Sequence, residues 1–89
     1  LVKKQPYSNL KVGRFSYRRF SKFCNTNELV WHRDLKDRYV KVLNRSDWKF
    51  QYDNELPIDL TKEKIIFIPK MHYHRIIKGT TDLEIAIKE

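Results

Sequence analysis

Two of the chain's three histidines, His72 and His74, stand two residues apart in the stretch IPKMHYHRII, residues 68–77. The third, His32, stands two residues before Asp34 in the stretch WHRD, residues 31–34. A neutral imidazole and a carboxylate are both donors to borderline divalent cations. Two imidazoles and one carboxylate on a common face form a triad that leaves coordination positions open. The spacing suits extended backbone, where side chains alternate and residues two apart share a face. His32 and Asp34 then point one way, and so do His72 and His74. The elements that hold them must be strands, and a closed β-fold can set one pair opposite the other.

The rest of the chain reads as such a fold. Phe15 and Tyr17 alternate with polar residues and are expected to be the inward positions of a strand. Residues 39–43 (YVKVL) form a β-branched strand, and Asn44-Arg45-Ser46-Asp47 a turn by composition. Residues 48–52 (WKFQY) alternate aromatic and polar and are expected to be the return arm of a hairpin. Residues 65–68 (IIFI) are a continuous apolar run closed by Pro69, expected to be a strand buried on both faces. Residues 75–78 and 83–88 supply two more strands around a turn at Gly79-Thr80-Thr81-Asp82. A short helical turn fits only near residues 25–28 or 60–64. Short strands at close spacing make an all-β sandwich or barrel. Trp31, Trp48, Phe50, Tyr52 and Phe67 are expected in its core and pocket wall.

Composition narrows the function classes. Eighty-nine residues make one domain that buries about 60–65% of its unfolded surface, a size that a dimer helps to stabilise. A single cysteine, Cys24, excludes an internal disulfide framework and a cysteine-rich zinc site, and a lone thiol fits the reducing cytoplasm. The apolar runs are too short to span a membrane, and no signal-peptide pattern opens the chain. There is no GxSxG stretch, and two glycines do not make a phosphate-binding loop.

The net charge of +8 is unevenly placed. Residues 1–22 carry seven basic residues and no acidic one, whereas residues 23–89 carry twelve basic and eleven acidic, a net +1. The chain thus divides into a basic arm or edge strand, residues 1–28, and a near-neutral body, residues 29–89. Lys11, Arg14, Arg18, Arg19 and Lys22, interleaved with aromatics, are the candidates for meeting nucleic acid or a protein partner. The alternative is a solvated leader.

The body resembles the cupin superfamily of small double-stranded β-helix (jelly-roll) barrels, in particular the short uncharacterised cupin-like proteins of bacteria and tailed phages. The resemblance covers about residues 29–89. The second cupin motif runs proline, one residue, usually glycine, two more residues and histidine; it matches Pro69-Lys70-Met71-His72-Tyr73-His74. The first motif matches His32-Arg33-Asp34, then Arg38, then Val42-Leu43-Asn44-Arg45. The resemblance implies a single small jelly-roll barrel with its site at the mouth, and a homodimer. It places His74 in the ligand position and leaves His72 beside it. Asp34 replaces the second histidine of the first motif, Arg38 its glutamate, Arg45 its closing glycine and Met71 the glycine of the second motif. A four-ligand site is therefore not expected.

What remains is His32, Asp34 and His74 for a divalent ion (Fe, Mn, Ni or Zn), with Arg38, His72, Trp31 and Tyr73 around a small-molecule ligand. This triad matches that of iron/2-oxoglutarate barrels. Those carry a basic residue about ten positions after the last histidine, where this chain is acidic at residues 82–84. Two other readings stay open. Arg38, His32 and His74 can hold a carboxylate or phosphate without metal, or Asp34 is simply ion-paired to Arg33, Arg38 or Arg75. No reaction is implied.

Overall fold

A computed structural model describes residues 6–89, apart from the side chain of Glu28. Lys3 and Lys4 of the basic arm lie outside the described residues. Eight strands follow in chain order: β1 (Tyr7–Val12), β2 (Phe15–Phe20), β3 (Arg38–Val42), β4 (Lys49–Tyr52), β5 (Ile58–Asp59), β6 (Ile65–Ile68), β7 (His74–Ile77) and β8 (Leu83–Lys88). One 3-10 turn, Thr26–Glu28, stands between β2 and β3, with Asn25 capping it through a bond from the Asn27 N–H. All pairings are antiparallel. The larger sheet has the order β1-β2-β8-β3-β6 and the smaller β5-β4-β7. The all-β architecture is the one expected, and no helix among the described residues is long and apolar enough to cross a membrane.

The core lies between the sheets. Alternation supplies it: Val40 and Val42 from β3, Ile66 and Ile68 from β6, and Leu83, Ile85 and Ile87 from β8 turn inward. They meet Trp48, Phe50 and Leu60 from the smaller sheet and its flank. Trp48 is fully buried, and its indole N–H donates to the Thr81 carbonyl at 2.5 Å, which satisfies its one polar atom. Residues 6–28 are part of this sandwich. The β1–β2 hairpin extends the larger sheet from β8, and Phe20 packs on Trp48 with ring centroids 5.7 Å apart.

Four local expectations are corrected. β3 and β4 do not form a hairpin: they lie in opposite sheets, and residues 43–48 cross between them. Asn44 ends β3 by extending its pairing with a side chain. Its amide donates to the Asp82 carbonyl at 2.8 Å and its Oδ1 accepts from the Glu84 N–H at 2.9 Å. The backbone is thereby freed to turn away. Ile65–Ile68 is an edge strand buried on one face only, with Ile65 and Phe67 exposed. Phe15 and Tyr17 face outward, because Phe20 in the core fixes Ser16, Arg18 and Phe20 as the inward set of β2. Trp31, like Phe67, is about two-fifths exposed rather than in the core.

Candidate metal centre and cavity

β7 begins at His74, and its backbone explains how His32 arrives. His32 and His74 form an isolated antiparallel bridge: the His32 N–H donates to the His74 carbonyl at 3.0 Å and the reverse bond is 2.9 Å. Residues directly opposite in an antiparallel pair present side chains to the same face. The two imidazoles therefore meet, with ring centroids 4.3 Å apart. The loop after His32 is pinned to the turn before β7, since the Met71 N–H donates to the Asp34 carbonyl at 2.7 Å and the Lys70 N–H to the Asp37 carboxylate at 2.7 Å. That docking swings the Asp34 carboxylate under both rings.

The side-chain geometry is specific. Asp34 Oδ2 lies 3.3 Å from His74 Nε2, and Asp34 Oδ1 lies 4.0 Å from His32 Nε2. Each histidine uses its other nitrogen in the same way. His32 Nδ1 meets the Val30 carbonyl at 2.9 Å, and His74 Nδ1 meets the His72 carbonyl at 2.8 Å. A carbonyl only accepts, so each Nδ1 carries a proton, which leaves Nε2 as the nitrogen that can offer a lone pair. Asp34 Oδ2 is buried and, among the described residues, has no hydrogen-bond partner. A lone pair on His74 Nε2 then faces a carboxylate oxygen at 3.3 Å, an arrangement that calls for a cation between them. A proton is the weaker candidate. Burial lowers the proton affinity of His74 below the ordinary imidazole value, and the neighbouring His32 and Arg38 act the same way against the opposing pull of the His72 carbonyl and Asp34.

The residues present fit a divalent ion. One donor atom from each of His32, Asp34 and His74 lies within 4.8 Å of the others. Donors about 2.0–2.2 Å from one ion stand about 2.8–3.6 Å apart at facial or tetrahedral angles, so a pair as far apart as 4.8 Å would close by about 1–2 Å on binding. His32, half exposed, has room for that movement, whereas the His74 and Asp34 side chains are almost wholly enclosed. His74 is further held by Phe50, stacked on it at 5.5 Å.

These three residues sit in the wall of a cavity of about 440 Å³ between the sheets, lined mainly by core side chains such as Val40, Phe50, Ile66 and Ile85. Arg38 and Arg18 reach the same cavity. Arg38, in the slot where the sequence resemblance places a glutamate, pairs with Asp34 at 3.4 Å and Glu89 at 3.1 Å. The remaining ligand-binding candidates lie elsewhere. His72 precedes β7, so alternation does not carry it to the face of His74; it is exposed, with its ring 5.0 Å from that of Tyr52. Trp31 lies under the Arg75 guanidinium at 4.6 Å and Tyr73 under that of Arg33 at 5.2 Å, and neither lines the cavity.

The basic candidates of the arm separate in the same way. Lys11, Arg14 and Lys22 are exposed, Arg19 pairs with Asp82 at 2.7 Å, and Arg18 turns into the cavity. Arg18 is the cavity residue that the sequence reading assigned to another role. Its signal was the two-residue spacing from Phe20, an aromatic that anchors the inward face.

No known family pattern matches the sequence, and no curated protein is significantly similar to it. Solved structures do match. A cupin domain from Bordetella pertussis superposes with a TM-score of 0.65 at 16% identity, over 99% of this chain and 96% of that one. The fold is that of a cupin. A structure of the DMSP lyases RdDddP and RnDddQII gives a TM-score of 0.70 at 15% identity over 82% of this chain, which spans about a third (35%) of that one. HppE in its FeII form with substrate gives 0.66 at 14% identity, over 100% of this chain and 57% of that one. At these identities the likeness establishes the cupin fold alone. The two-sheet sandwich is a small cupin fold, and its His-Asp-His group lies on the cavity wall.

Proposed function

We propose that this chain is a small-molecule-binding cupin that holds a divalent metal ion at His32, Asp34 and His74. One observation carries the reading. Two imidazoles, each committed to a backbone carbonyl through Nδ1, turn Nε2 toward a buried carboxylate whose Oδ2 has no hydrogen-bond partner. An ion-paired remnant explains only half of it, because Arg38 sits against Oδ1 and leaves Oδ2 unanswered.

The donor set of two nitrogens and one oxygen, without thiolate, suits Fe, Mn, Ni or Zn. Three protein donors leave positions open toward the cavity, and a bound ion there would act as a Lewis acid on an oxygen of the ligand. The chain's own residues set the frame. The Val30 and His72 carbonyls hold the ring tautomers, Phe50 fixes the plane of His74, and apolar side chains form most of the wall beside them. HppE, described in its FeII form with substrate, is the neighbour that suggests such a centre.

The test is metal content after purification without chelator, together with thermal unfolding. A near-stoichiometric metal is expected. Free metal at about a hundred times its Kd should add about 2.7 kcal/mol of stability, a rise of roughly 10–20 °C in Tm at this size. His74→Ala should abolish both effects. Substoichiometric metal that His74→Ala leaves unchanged would sink the proposal.

A further inference from the structure

We propose that the cavity takes a small organic anion with an apolar body, and that Arg18 holds the anionic group. The proposal names the ligand class of the metal cupin inferred above and rests on that reading for the cavity's other pole.

Arg18 points inward from β2, half-buried, among the residues that line the cavity. Its Nε donates to Asn9 Oδ1 at 3.2 Å, and its guanidinium carbon stands 4.3 Å over the Tyr7 ring. These contacts fix the plane of the fork without using its end. Among the described residues the two terminal nitrogens have no acceptor, and no carboxylate pairs with them. The contrast with its neighbours is chemical. Arg38, on the same inner face, is paired with Asp34 and Glu89, and Arg19, next in sequence, with Asp82. Arg18 alone of the three brings an uncompensated cation toward an apolar cavity.

Such a charge is costly to bury unless an anion meets it. Burial opposes the charged form of Arg18, with Arg38 adding to it and Tyr7, Asp34 and Glu89 offsetting it. The positioned fork matches a planar carboxylate in bidentate fashion. An inorganic oxyanion would leave most of its oxygens against Ile85, Leu83 and Phe20, whereas a carboxylate spends both on the fork and lays its apolar body along that wall. The volume of about 440 Å³ lies within the range of about 300–1,000 Å³ usual for small-molecule sites.

The experiment is calorimetric titration of the full chain with 4-phenylbutyrate and with its neutral amide, 4-phenylbutanamide, in chelator-stripped and zinc-loaded protein. The carboxylate should bind at least tenfold more tightly than the amide in both forms. Arg18→Gln should bring the two within about twofold of each other, and Arg18→Lys should keep part of the preference. The nitrogen-bound proton resonance of Arg18 Nε in the wild type should shift with the carboxylate and not with the amide, which decides the matter even if the variants fail to fold. Equal binding of the pair in stripped protein, no binding of either at millimolar concentration, or a preference that survives Arg18→Gln overturns the proposal. A preference seen only with zinc puts the anion on the ion; it removes the role of Arg18 and leaves the metal reading standing. A preference kept in protein that never binds zinc supports Arg18 and removes the metal reading instead.

Discussion

Met71 occupies a left-handed backbone conformation, with φ of 63°, in the turn that launches β7. A side chain in that region is strained by roughly 1–2 kcal/mol, because its Cβ approaches the following carbonyl. Glycine removes that clash but adds about 0.5–1 kcal/mol of backbone entropy lost on folding. The Met71 side chain is 44% exposed, so its removal forfeits burial, but glycine and alanine at this position forfeit it almost equally. The turn's bond from the Met71 N–H to the Asp34 carbonyl is a backbone contact that any residue keeps. Met71→Gly should therefore be more stable than Met71→Ala by roughly 0.5–1 kcal/mol, or about 2–8 °C in Tm for a domain of this size. Met71→Ala loses the same side chain without relieving φ, and should not stabilise. Urea unfolding of the three proteins measures the differences. If Met71→Gly is no more stable than Met71→Ala, the left-handed turn is not strained and the reasoning fails. A φ of 63° is one that glycine adopts without strain, and this chain makes the turn with methionine at the motif position where the resemblance places a glycine.

Two further outcomes follow from the turn at residues 79–82. A Cβ on Gly79 would lie 2.1 Å from Asp47 Oδ1 and 2.8 Å from the Asp47 backbone carbon, so Gly79→Ala should cost about 1–3 kcal/mol in urea unfolding. Asp82 accepts from the Lys22 N–H at 2.8 Å and from Arg19 at 2.7 Å, and those bonds, the Lys22 one foremost, hold its carboxyl below its ordinary 3.8. A depressed folded value means the stabilisation is complete above 3.8 and is lost as pH falls through the lower, folded value. Asp82→Asn should thus flatten the acid limb of Tm against pH and leave its shape above pH about 5 unchanged; an unaltered acid limb would remove Asp82 from the account.

The strands of the body were legible because alternation is a local signal, and β3, β4, β6, β7 and β8 appear within a residue or two of their expected places. Their partners were not legible. A turn rich in Asn, Ser and Asp suits a hairpin as well as a crossing between sheets, and only the bonds of Asn44 to β8 decide for the crossing. Alternation also says that a strand has two faces without saying which is inward. In β2 the aromatics Phe15 and Tyr17 suggested one answer, while the burial of Phe20 imposed the other. At the site, the pairing of H-x-D with a later histidine rested on two-residue spacing and on the cupin resemblance. The backbone bridge that brings His32 beside His74 left no trace in either stretch, because a two-residue bridge has no periodicity to read.

Charge links the two ends of the cavity. Without an ion, Asp34 and Glu89 balance Arg38 and Arg18, but the balance is uneven in space. Both carboxylates are engaged at Arg38, and among the described residues no carboxylate pairs with Arg18. A divalent ion at His32, Asp34 and His74 would bring the same group of charges to a net +2 inside a mainly apolar wall. Such a cavity would attract an anion, and its two positive poles would act differently. The ion would offer open positions to any oxygen, whereas the Arg18 fork would select a planar pair of them. A ligand with a carboxylate at one end and a neutral oxygen at the other would satisfy both poles. That requirement explains why an arginine at the glutamate slot is compatible with a metal site. Arg38 takes up carboxylate charge of Asp34 and Glu89 on one side, and would leave the excess charge of a bound ion to the ligand on the other.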